Sequence, residues 1–365
     1  MIREDFPLAL SAIKERIAAI NPIAYAKTRN FLTGSVTKLS PYISRGVISL
    51  PQIQSSVLQR FSVYQSEKLL QELAWREYYQ RIWQAKGDLI FTDLKQLQPN
   101  TDHYKMPETV QKAVTGIQAI DEGIDTLYKT GYMHNHLRMY TSMLCCNIGR
   151  AHWLAPAQWM YYHLIDGDLA SNALSWQWVA GSFSSKKYVA NQENINKYTG
   201  SNQSNTFLSV SYDAFETLAV PDSIKEKASL SLTTSLPESD QIHTSSDPIF
   251  IYNSYQLDPQ WHAGESGMRI LLLEPDHFKR FPVSERVLSF IINLAKENIP
   301  EIKIFTGSFE ELQQLFSAST IYFKEHPLTQ HYRGIQDSRD WMFPEVTGYY
   351  PSFFAYWKKC EKYLR

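Results

Sequence analysis

Two acids and an amide lie close to two indoles in the segment HLIDGDLASNALSWQW. The polar residues are Asp166, Asp168 and Asn172, and together they suit hydrogen bonds to a polar, electron-rich ring. Trp176 and Trp178 add a redox-active indole and a flat surface for stacking. Each acid would cost on the order of a few kcal/mol if it were buried alone, so the pattern predicts a charged partner elsewhere in the chain.

The predicted partner is Arg138, in the upstream segment TGYMHNHLRMYTSMLCCNI. On a helix, Asn135, Arg138 and Met139 share one face, because residues three and four positions apart are neighbours on the helix surface. Gly131 precedes this helix and suits a turn or a helix start. We therefore expect the polar end of the helix to open onto a cavity.

These two segments resemble the flavin-binding half of the DNA photolyase and cryptochrome superfamily. Three further segments agree with the superfamily in order: TKLSPYISRGVIS at 37–49, QELAWREYY at 71–79 and TGIQAID at 115–121. Several collinear motifs in one chain are far more specific than a single motif. The resemblance implies an all-helical, photolyase-type domain that binds FAD.

The resemblance also assigns FAD to particular residues. Thr37 and Ser40 are expected to cap a helix whose N-terminus holds the pyrophosphate, assisted by the charge of Lys38. A simple N-cap explains Ser40 equally well, and Val36 stands where the superfamily has its first Thr. The expected cofactor-binding set is Tyr25, Thr37, Lys38, Leu39, Ser40, Asn135, Arg138, Asp166, Asp168 and Asn172.

Four of these residues are expected to surround the flavin ring. Arg138 and Asp166 match the superfamily's charge pair beside the isoalloxazine, and such a pair tunes which flavin charge state is stable. Asp168 matches the contact at the pyrimidine edge. Asn172 matches the contact near N5, where photolyases usually have Asn. For the two acids, helix capping or a surface salt bridge is the structural alternative.

Trp176 and Trp153 match the first two members of the tryptophan chain through which the superfamily photoreduces its flavin. The segment LQPNTDHYKM, where the third, surface member is expected, contains no Trp. Tyr104 and Trp159 are the candidates to replace it. Core packing is the alternative for any single Trp.

Glu72, Trp75, Asn135, Met139 and Trp178 match the cavity that receives a flipped pyrimidine dimer in photolyases. A carboxylic acid can hydrogen-bond to a pyrimidine radical anion, and indoles provide walls on which splayed bases stack. The resemblance thus implies a catalytic set for a deoxyribodipyrimidine photolyase, a carbon–carbon lyase whose partner is damaged DNA.

The leading functional prediction is therefore light-driven electron transfer from reduced FAD to pyrimidine dimers in DNA. His136 departs from the pattern, because photolyases commonly place an Arg there near the DNA, and its loss weakens phosphate contact. Two alternatives stay open. One is a cryptochrome-like light or redox sensor without repair activity, and the other is a non-photochemical scaffold that has kept only the flavin fold.

Hydrophobic periodicity predicts the elements that position these residues. Apolar spacing of three and four predicts helices at 68–83 and 119–131. Short apolar runs predict strands at 249–254, 268–275, 302–307 and 320–326, with helices at 284–298 and 308–316 between the later ones. Such alternation of strand and helix implies a small α/β unit with a short parallel sheet.

We therefore predict a mostly α protein with three parts. A helical FAD-binding domain at 1–200 is followed by a linker or long loop at 201–247, rich in Ser, Thr and Asn, and by a small α/β domain at 248–365. The superfamily normally carries an α/β antenna domain before the flavin domain. Here we expect that N-terminal domain to be absent.

Composition restricts the class of protein. Cys145, Cys146 and Cys360 are too few for a disulfide framework or a four-iron cluster, and no metal site is expected. No apolar run is long enough to span a bilayer, and MIREDFPLAL lacks a signal peptide's architecture, so we expect a soluble cytoplasmic protein. Residues 1–200 hold 21 Lys and Arg against 16 Asp and Glu, a mild basic bias that permits DNA contact.

Overall fold

A computed structural model describes residues 6–243, 246–316 and 319–364. The predicted domains also include residues 1–5, 244, 245, 317, 318 and 365, which lie outside the described residues. The helices are α1 Leu10–Ala18, α2 Pro22–Thr28, α3 Ser40–Ser44, α4 Leu50–Leu58, α5 Val63–Lys86, α6 Glu108–Gln111, α7 Gln118–Thr130, α8 Asn135–Met143, α9 Leu154–His163, α10 Leu169–Ala180, α11 Gln192–Thr199, α12 Pro275–Arg280, α13 Glu285–Asn298, α14 Phe309–Leu315 and α15 Phe353–Cys360. The strands are β1 Met106–Pro107, β2 Lys227–Ala228, β3 Ile249–Tyr252, β4 Met268–Leu273, β5 Lys303–Thr306, β6 Ile321–Lys324 and β7 Ile335–Asp337.

Contacts divide the chain into two compact units. The sheet unit comprises Met1–Ile20, Thr37–Tyr78 and Leu232–Arg365, and the helical unit comprises Asn21–Val36 and Tyr79–Ser231. This division does not coincide with the domain boundaries predicted at residues 200 and 247, which stay a prediction.

The strands β3 to β7 form one parallel sheet in the order β5-β4-β3-β6-β7. Ile249 pairs with Met268 on one side and with Ile321 on the other, which places β3 at the centre. Helices α12 and α13 connect β4 to β5, and α14 connects β5 to β6. Parallel neighbours need such crossover connections, and apolar side chains including Ile251 and Leu272 form the core beside them.

The predicted fold class is confirmed, since the described chain is mostly helical and carries a parallel sheet in its C-terminal part. All of the predicted strands are present as β3 to β6, and the two predicted helices between them are α13 and α14. Strand β7 was not predicted, because it is three residues long and largely exposed, so it has no hydrophobic pattern.

The predicted linker at 201–247 is irregular but makes specific contacts. Within the helical unit, β2 pairs antiparallel with β1. Within the sheet unit, the backbone N–H of Asp240 donates to the carbonyl of Ile304 at 2.9 Å, and its Oδ2 accepts from the Ile304 N–H at 2.8 Å. The segment therefore covers the outer edge of β5.

The N-terminal helix α1 belongs to the sheet unit because of contacts far apart in sequence. Asn298, the last residue of α13, accepts a hydrogen bond from the N–H of Leu10 and donates one to the carbonyl of Leu8, both at 2.8 Å. The ring of Tyr42 lies 6.3 Å from that of Phe290 between their centroids. Ring packing and hydrogen bonds between segments far apart in sequence thus join the N-terminal segments to the sheet unit.

The helical unit is built around a core of large aromatic and aliphatic side chains. Trp153, Trp159 and Trp176 are all buried in it, and α10 packs against both α8 and α9. Across the part of the chain that the structure describes, no helix combines the length and the apolar character needed to cross a membrane.

Candidate functional site

The centre of the candidate site is an ion pair between α8 and the loop before α10. Arg138 Nη2 donates to both carboxylate oxygens of Asp166, at 3.0 and 2.9 Å, and Arg138 Nε donates to the carbonyl of Met133 at 2.8 Å. The Asp166 side chain is 2% exposed and that of Arg138 is 23% exposed. A buried carboxylate needs such a partner, so the predicted pair is present.

The ion pair leaves donor capacity on its exposed side. Arg138 Nη1 makes no hydrogen bond to any described residue, and the guanidinium lies 5.5 Å from the centroid of the Tyr132 ring. A guanidinium held on one edge and open on the other can donate to an acceptor on a planar ligand.

Asp168 is the N-cap of α10. Its Oδ1 accepts from the N–H of Ser171 at 2.6 Å, and its Oδ2 accepts from Gln80 Nε2 at 2.5 Å. Helix capping, the structural alternative for this acid, therefore accounts for one of its oxygens.

Asn172 follows in the first turn of the same helix. Its Nδ2 donates to the carbonyl of Ala157 at 2.9 Å, which fixes the amide so that Oδ1 faces the other way. Oδ1 makes no hydrogen bond within the described ranges, and the neighbouring Ser171 Oγ is buried and has no partner there either. The turn thus retains unused hydrogen-bonding groups, which fits a polar ligand such as a flavin ring.

Asn135 and Met139 share a face of α8, as the spacing predicted. Asn135 Nδ2 lies 3.8 Å from Met139 Sδ. The adjacent His136 packs between aromatic rings, with its centroid 4.9 Å from Tyr198 and 5.7 Å from Tyr140. Burial, reinforced by the charge of a nearby arginine, lowers the pKa of His136, so it is neutral at pH 7. It does not replace the arginine that photolyases place here.

The predicted electron-transfer residues Trp153 and Trp176 are buried in one hydrophobic core. Trp153 Nε1 donates to Asp93 Oδ1 at 2.8 Å. Of the two candidates for the third member, Tyr104 is 72% exposed, whereas Trp159 is buried and donates to Tyr128 Oη at 3.0 Å. Only Tyr104 therefore has the position that a surface member requires.

The proposed substrate-facing residues differ in their surroundings. Trp178, in the helical unit, is 37% exposed, with its ring 5.9 Å from that of Tyr188. Glu72, in the sheet unit, is exposed on α5. Trp75 is half-buried on the same helix, and its ring stacks on Phe353 of α15 with a centroid distance of 3.9 Å and an interplanar angle of 11°. One face of the predicted aromatic wall is therefore already covered.

The predicted helix cap at Thr37 and Ser40 is wrong. The N-cap of α3 is Leu39, no side chain caps it, and Ser40 is the first helical residue. Pro41 explains this, because its fixed φ places it in the first turn and the helix begins just before it. Thr37 Oγ1 instead accepts from the N–H of Leu39 at 3.4 Å, and Lys38 adopts a left-handed φ of 50°.

The predicted site residues fall into both units. The helical unit contains Tyr25, Asn135, Arg138, Met139, Trp153, Asp166, Asp168, Asn172, Trp176 and Trp178. The sheet unit contains Thr37, Lys38, Leu39, Ser40, Glu72 and Trp75. Sequence reasoning missed Gln80, Asp93 and Phe353, whose partners lie far along the chain and leave no local pattern.

Part of the chain is similar to a known family of proteins. Residues 69–207 match the model of the FAD-binding domain of DNA photolyase. A deoxyribodipyrimidine photo-lyase of Alkalihalophilus pseudofirmus is 31% identical over 163 residues, 43% of this chain and 34% of the relative. A cryptochrome DASH of Danio rerio is 31% identical over 185 residues, 47% of this chain and 35% of the relative.

A solved cryptochrome of Synechocystis sp. PCC6803 is 24% identical, with a TM-score of 0.47 over 52% of this chain and 43% of that one. The match to the curated relatives spans about a third of their length. Residues 69–207 are thus similar to the FAD-binding domain of DNA photolyase, and the relatives that this part of the chain matches are named photolyases and cryptochromes. The resemblance and the cofactor inferred from the motifs are thereby confirmed.

Proposed function

We propose that the chain binds FAD with the isoalloxazine ring beside the Arg138–Asp166 pair. The observation that carries this proposal is the ion pair itself, in which Arg138 Nη2 donates to both oxygens of a buried carboxylate while the guanidinium stays partly exposed. Arg138 donates to the ring, Asp168 accepts at its pyrimidine edge, and Asn172 presents Oδ1 near N5. The bound flavin supplies a chromophore that exchanges single electrons after absorbing light.

For the pyrophosphate end of FAD, the resemblance implies a contact at Lys38, whose side chain carries a positive charge. Substitution of Lys38 by Gln should therefore weaken FAD binding more than binding of riboflavin, which has no phosphate. The two affinities compared in one variant check this assignment.

We propose repair of pyrimidine dimers in DNA as the reaction. Relatives named deoxyribodipyrimidine photo-lyase and the amide of Asn172 support it. The dimer takes up one electron, its cyclobutane ring splits, and the electron returns, so no net oxidation occurs. Glu72 hydrogen-bonds to the transient radical anion, while Trp178, Asn135 and Met139 line the position of the flipped bases.

A repair assay tests this reaction. The full chain, loaded with FAD and reduced chemically, is illuminated with blue light in the presence of an oligonucleotide that contains one dimer. Loss of dimers in the light but not in the dark is expected, and Glu72→Gln should lower the yield. Glu67→Gln, which alters an exposed acid on the same helix, is the matched control. Unchanged dimers with flavin-loaded, reduced wild-type protein would refute repair.

The stack of Phe353 on Trp75 favours a second function, a light or redox sensor without repair. If α15 stays on Trp75, the face of the indole that Phe353 covers cannot stack on a base. A sensor should show light-dependent hydrogen exchange in residues 353–360 and no loss of dimers. If Phe353→Ala gains or raises repair activity, the stack is an obstacle that a repair enzyme must displace. If Phe353→Ala also repairs no dimers and hydrogen exchange is equal in light and dark, neither the sensor function nor a repair function that requires displacement of this stack is supported.

A further inference from the structure

Two side chains, His152 and Tyr104, connect the buried Trp153 to the surface of the helical unit. The ring of His152 is 5.6 Å from that of Trp153 and 4.8 Å from that of Tyr104, between centroids. The His152 and Tyr104 rings are stacked, with an interplanar angle of 28°. Exposure rises along the series, from fully buried Trp153 through His152, whose side chain is 12% exposed, to the exposed Tyr104.

The backbone holds this arrangement in place. The N–H of His152 donates to the carbonyl of His103 at 2.7 Å, and the N–H of Asp102 donates to the carbonyl of Arg150 at 2.9 Å. Two extended segments are thus paired at the point where Tyr104 meets His152. Such pairing restricts Tyr104 to the neighbourhood of the imidazole despite its exposure.

Asp93 contacts both Trp153 and His152, the two inner members of the series. Its Oδ1 accepts from Trp153 Nε1 at 2.8 Å and lies 3.3 Å from His152 Nε2, while its Oδ2 accepts from the N–H of Gln98 at 2.8 Å. The N–H of Leu154 donates to His152 Nδ1, which leaves the imidazole proton on Nε2, directed at Asp93. Burial lowers the pKa of His152 in spite of the neighbouring carboxylate, so the ring is neutral at pH 7.

We propose that Tyr104 is the surface electron donor of the electron-transfer chain, that the stacked ring of His152 couples it to Trp153, and that Asp93 stabilises oxidised Trp153. This inference rests on the proposed light-driven reduction of bound oxidised flavin. It identifies the third member of the chain, for which the sequence left Tyr104 and Trp159 open.

When bound, oxidised FAD would supply an acceptor for one electron after absorbing light. Trp176 would give that electron, and Trp153 would replace it. Trp153 is then a radical cation, whose Nε1–H remains hydrogen-bonded to the carboxylate of Asp93, and the opposite charge favours the oxidised form. Tyr104 gives one electron through the His152 ring to Trp153 and releases its phenolic proton to water. The result is a neutral tyrosyl radical and an intact Trp153.

The alternative through Trp159 lacks an exit for the proton. Trp159 donates to Tyr128 Oη, and Tyr128 donates to the carbonyl of Gln111. Burial raises the pKa of Tyr128 to about 12, so its phenol resists loss of a proton. The phenol of Tyr104 faces water, which accepts the proton released on oxidation.

Flash photolysis of the FAD-loaded full chain, followed by electron paramagnetic resonance, identifies the radical that remains. Wild type should give a tyrosyl signal. Tyr104→Phe and His152→Leu should lose it and leave a tryptophanyl signal that decays sooner, because the electron returns. His152→Phe, which keeps an aromatic ring, should recover the tyrosyl signal. Tyr212→Phe removes another exposed tyrosine of the same unit and should behave like wild type.

A tyrosyl signal that survives in Tyr104→Phe, only a tryptophanyl signal in wild type, or no flash-induced protein radical at all would overturn the inference. Flavin content and circular dichroism establish that each variant is folded and loaded. The repair assay uses chemically reduced flavin and needs no electron from Tyr104. Repair can therefore persist when this inference fails, and the tyrosyl radical can form in a protein that repairs nothing.

Discussion

At the scale of single residues, Arg138 and Asp166 connect the sequence motif to the chemistry. The carboxylate is buried and the guanidinium is its partner, so neither is replaceable by itself. The same pair that satisfies Asp166 leaves part of Arg138 open to a ligand. Asp168 also has a structural role, because it caps α10 and accepts a hydrogen bond from Gln80.

Loss of the carboxylate from this pair should destabilise the helical unit. Asp166→Asn leaves Arg138 without its anion, and we expect the free energy of unfolding to fall by about 2–3 kcal/mol, below the full buried-pair range because Arg138 is partly exposed. Urea titration of the flavin-free protein measures this change. Asp125→Asn alters an exposed pair of 4.0 Å with Lys129 and should change little. Equal effects of the two substitutions would contradict the assignment.

Sequence could predict the ring contacts because they lie close together in the chain and follow helical spacing. Asn135, Arg138 and Met139 share a face by periodicity alone. The pair of Trp153 with Asp93 could not be predicted, because the residues are 60 positions apart and no pattern links them.

At the scale of elements, α5 and the C-terminal segment are joined by a buried carboxylate. Glu77 accepts hydrogen bonds from the backbone N–H groups of Met342 and Phe343 and from the phenol of Tyr356 at 2.6 Å. Burial, together with the neighbouring Glu77, raises the pKa of Tyr356, so its phenol stays protonated and donates. This anchor holds α15 where Phe353 reaches Trp75.

Removal of that anchor should loosen α15. Glu77→Ala leaves two backbone donors and a phenol unsatisfied, and we expect a loss of about 3 kcal/mol in the free energy of unfolding. Hydrogen exchange in residues 353–360 should accelerate in the variant. Glu67→Ala removes an exposed acid from the same helix and is the control. Unchanged exchange in Glu77→Ala would show that other contacts hold α15.

A second contact between elements of the sheet unit, made by His262, depends on pH. His262 Nδ1 lies 2.5 Å from Glu265 Oε1, and its Nε2 lies 2.8 Å from Asp337 Oδ2 in β7. Burial lowers the pKa of His262, but the hydrogen bonds to Asp337 and Glu265 outweigh it and raise the pKa above its ordinary value of 6.5. Charged His262 therefore ties the edge strand β7 to the loop between β3 and β4.

The sign of the pH dependence follows from that raised pKa. The contribution of His262 is complete below its unfolded value of 6.5 and is lost as the pH rises through the higher folded value. The difference in stability between wild type and His262→Gln should thus be larger at about pH 5.5 than at about pH 8.5. Urea titration at both values measures it, with exposed His243→Gln as the control. A difference that grows with pH would contradict this account.

At the scale of the whole molecule, the sequence predicted a helical part and an α/β part. It did not predict which segments of the chain belong to each of the two units. Short continuous apolar runs identified β3 to β6, since strands of a parallel sheet are buried on both faces. The assignment of α1, α3 and α4 to the sheet unit depends on contacts such as Leu10 with Asn298, which only the folded chain brings together. The stack of Trp75 on Phe353 likewise joins residues that are far apart in sequence. It is the contact most relevant to the proposed repair, because it covers one face of an indole expected to meet the substrate.

FAD binding beside Arg138 is the central claim about this protein, so affinity for FAD is its most direct test. Titration of the purified full chain, followed by quenching of flavin fluorescence, should show one FAD per chain. Arg138→Gln should bind at least about tenfold more weakly, because a hydrogen bond from a charged donor contributes about 1.5–3 kcal/mol. The exposed Lys129→Gln should match wild type. No uptake of FAD by folded wild type, or equal affinity in folded Arg138→Gln, would contradict the central claim.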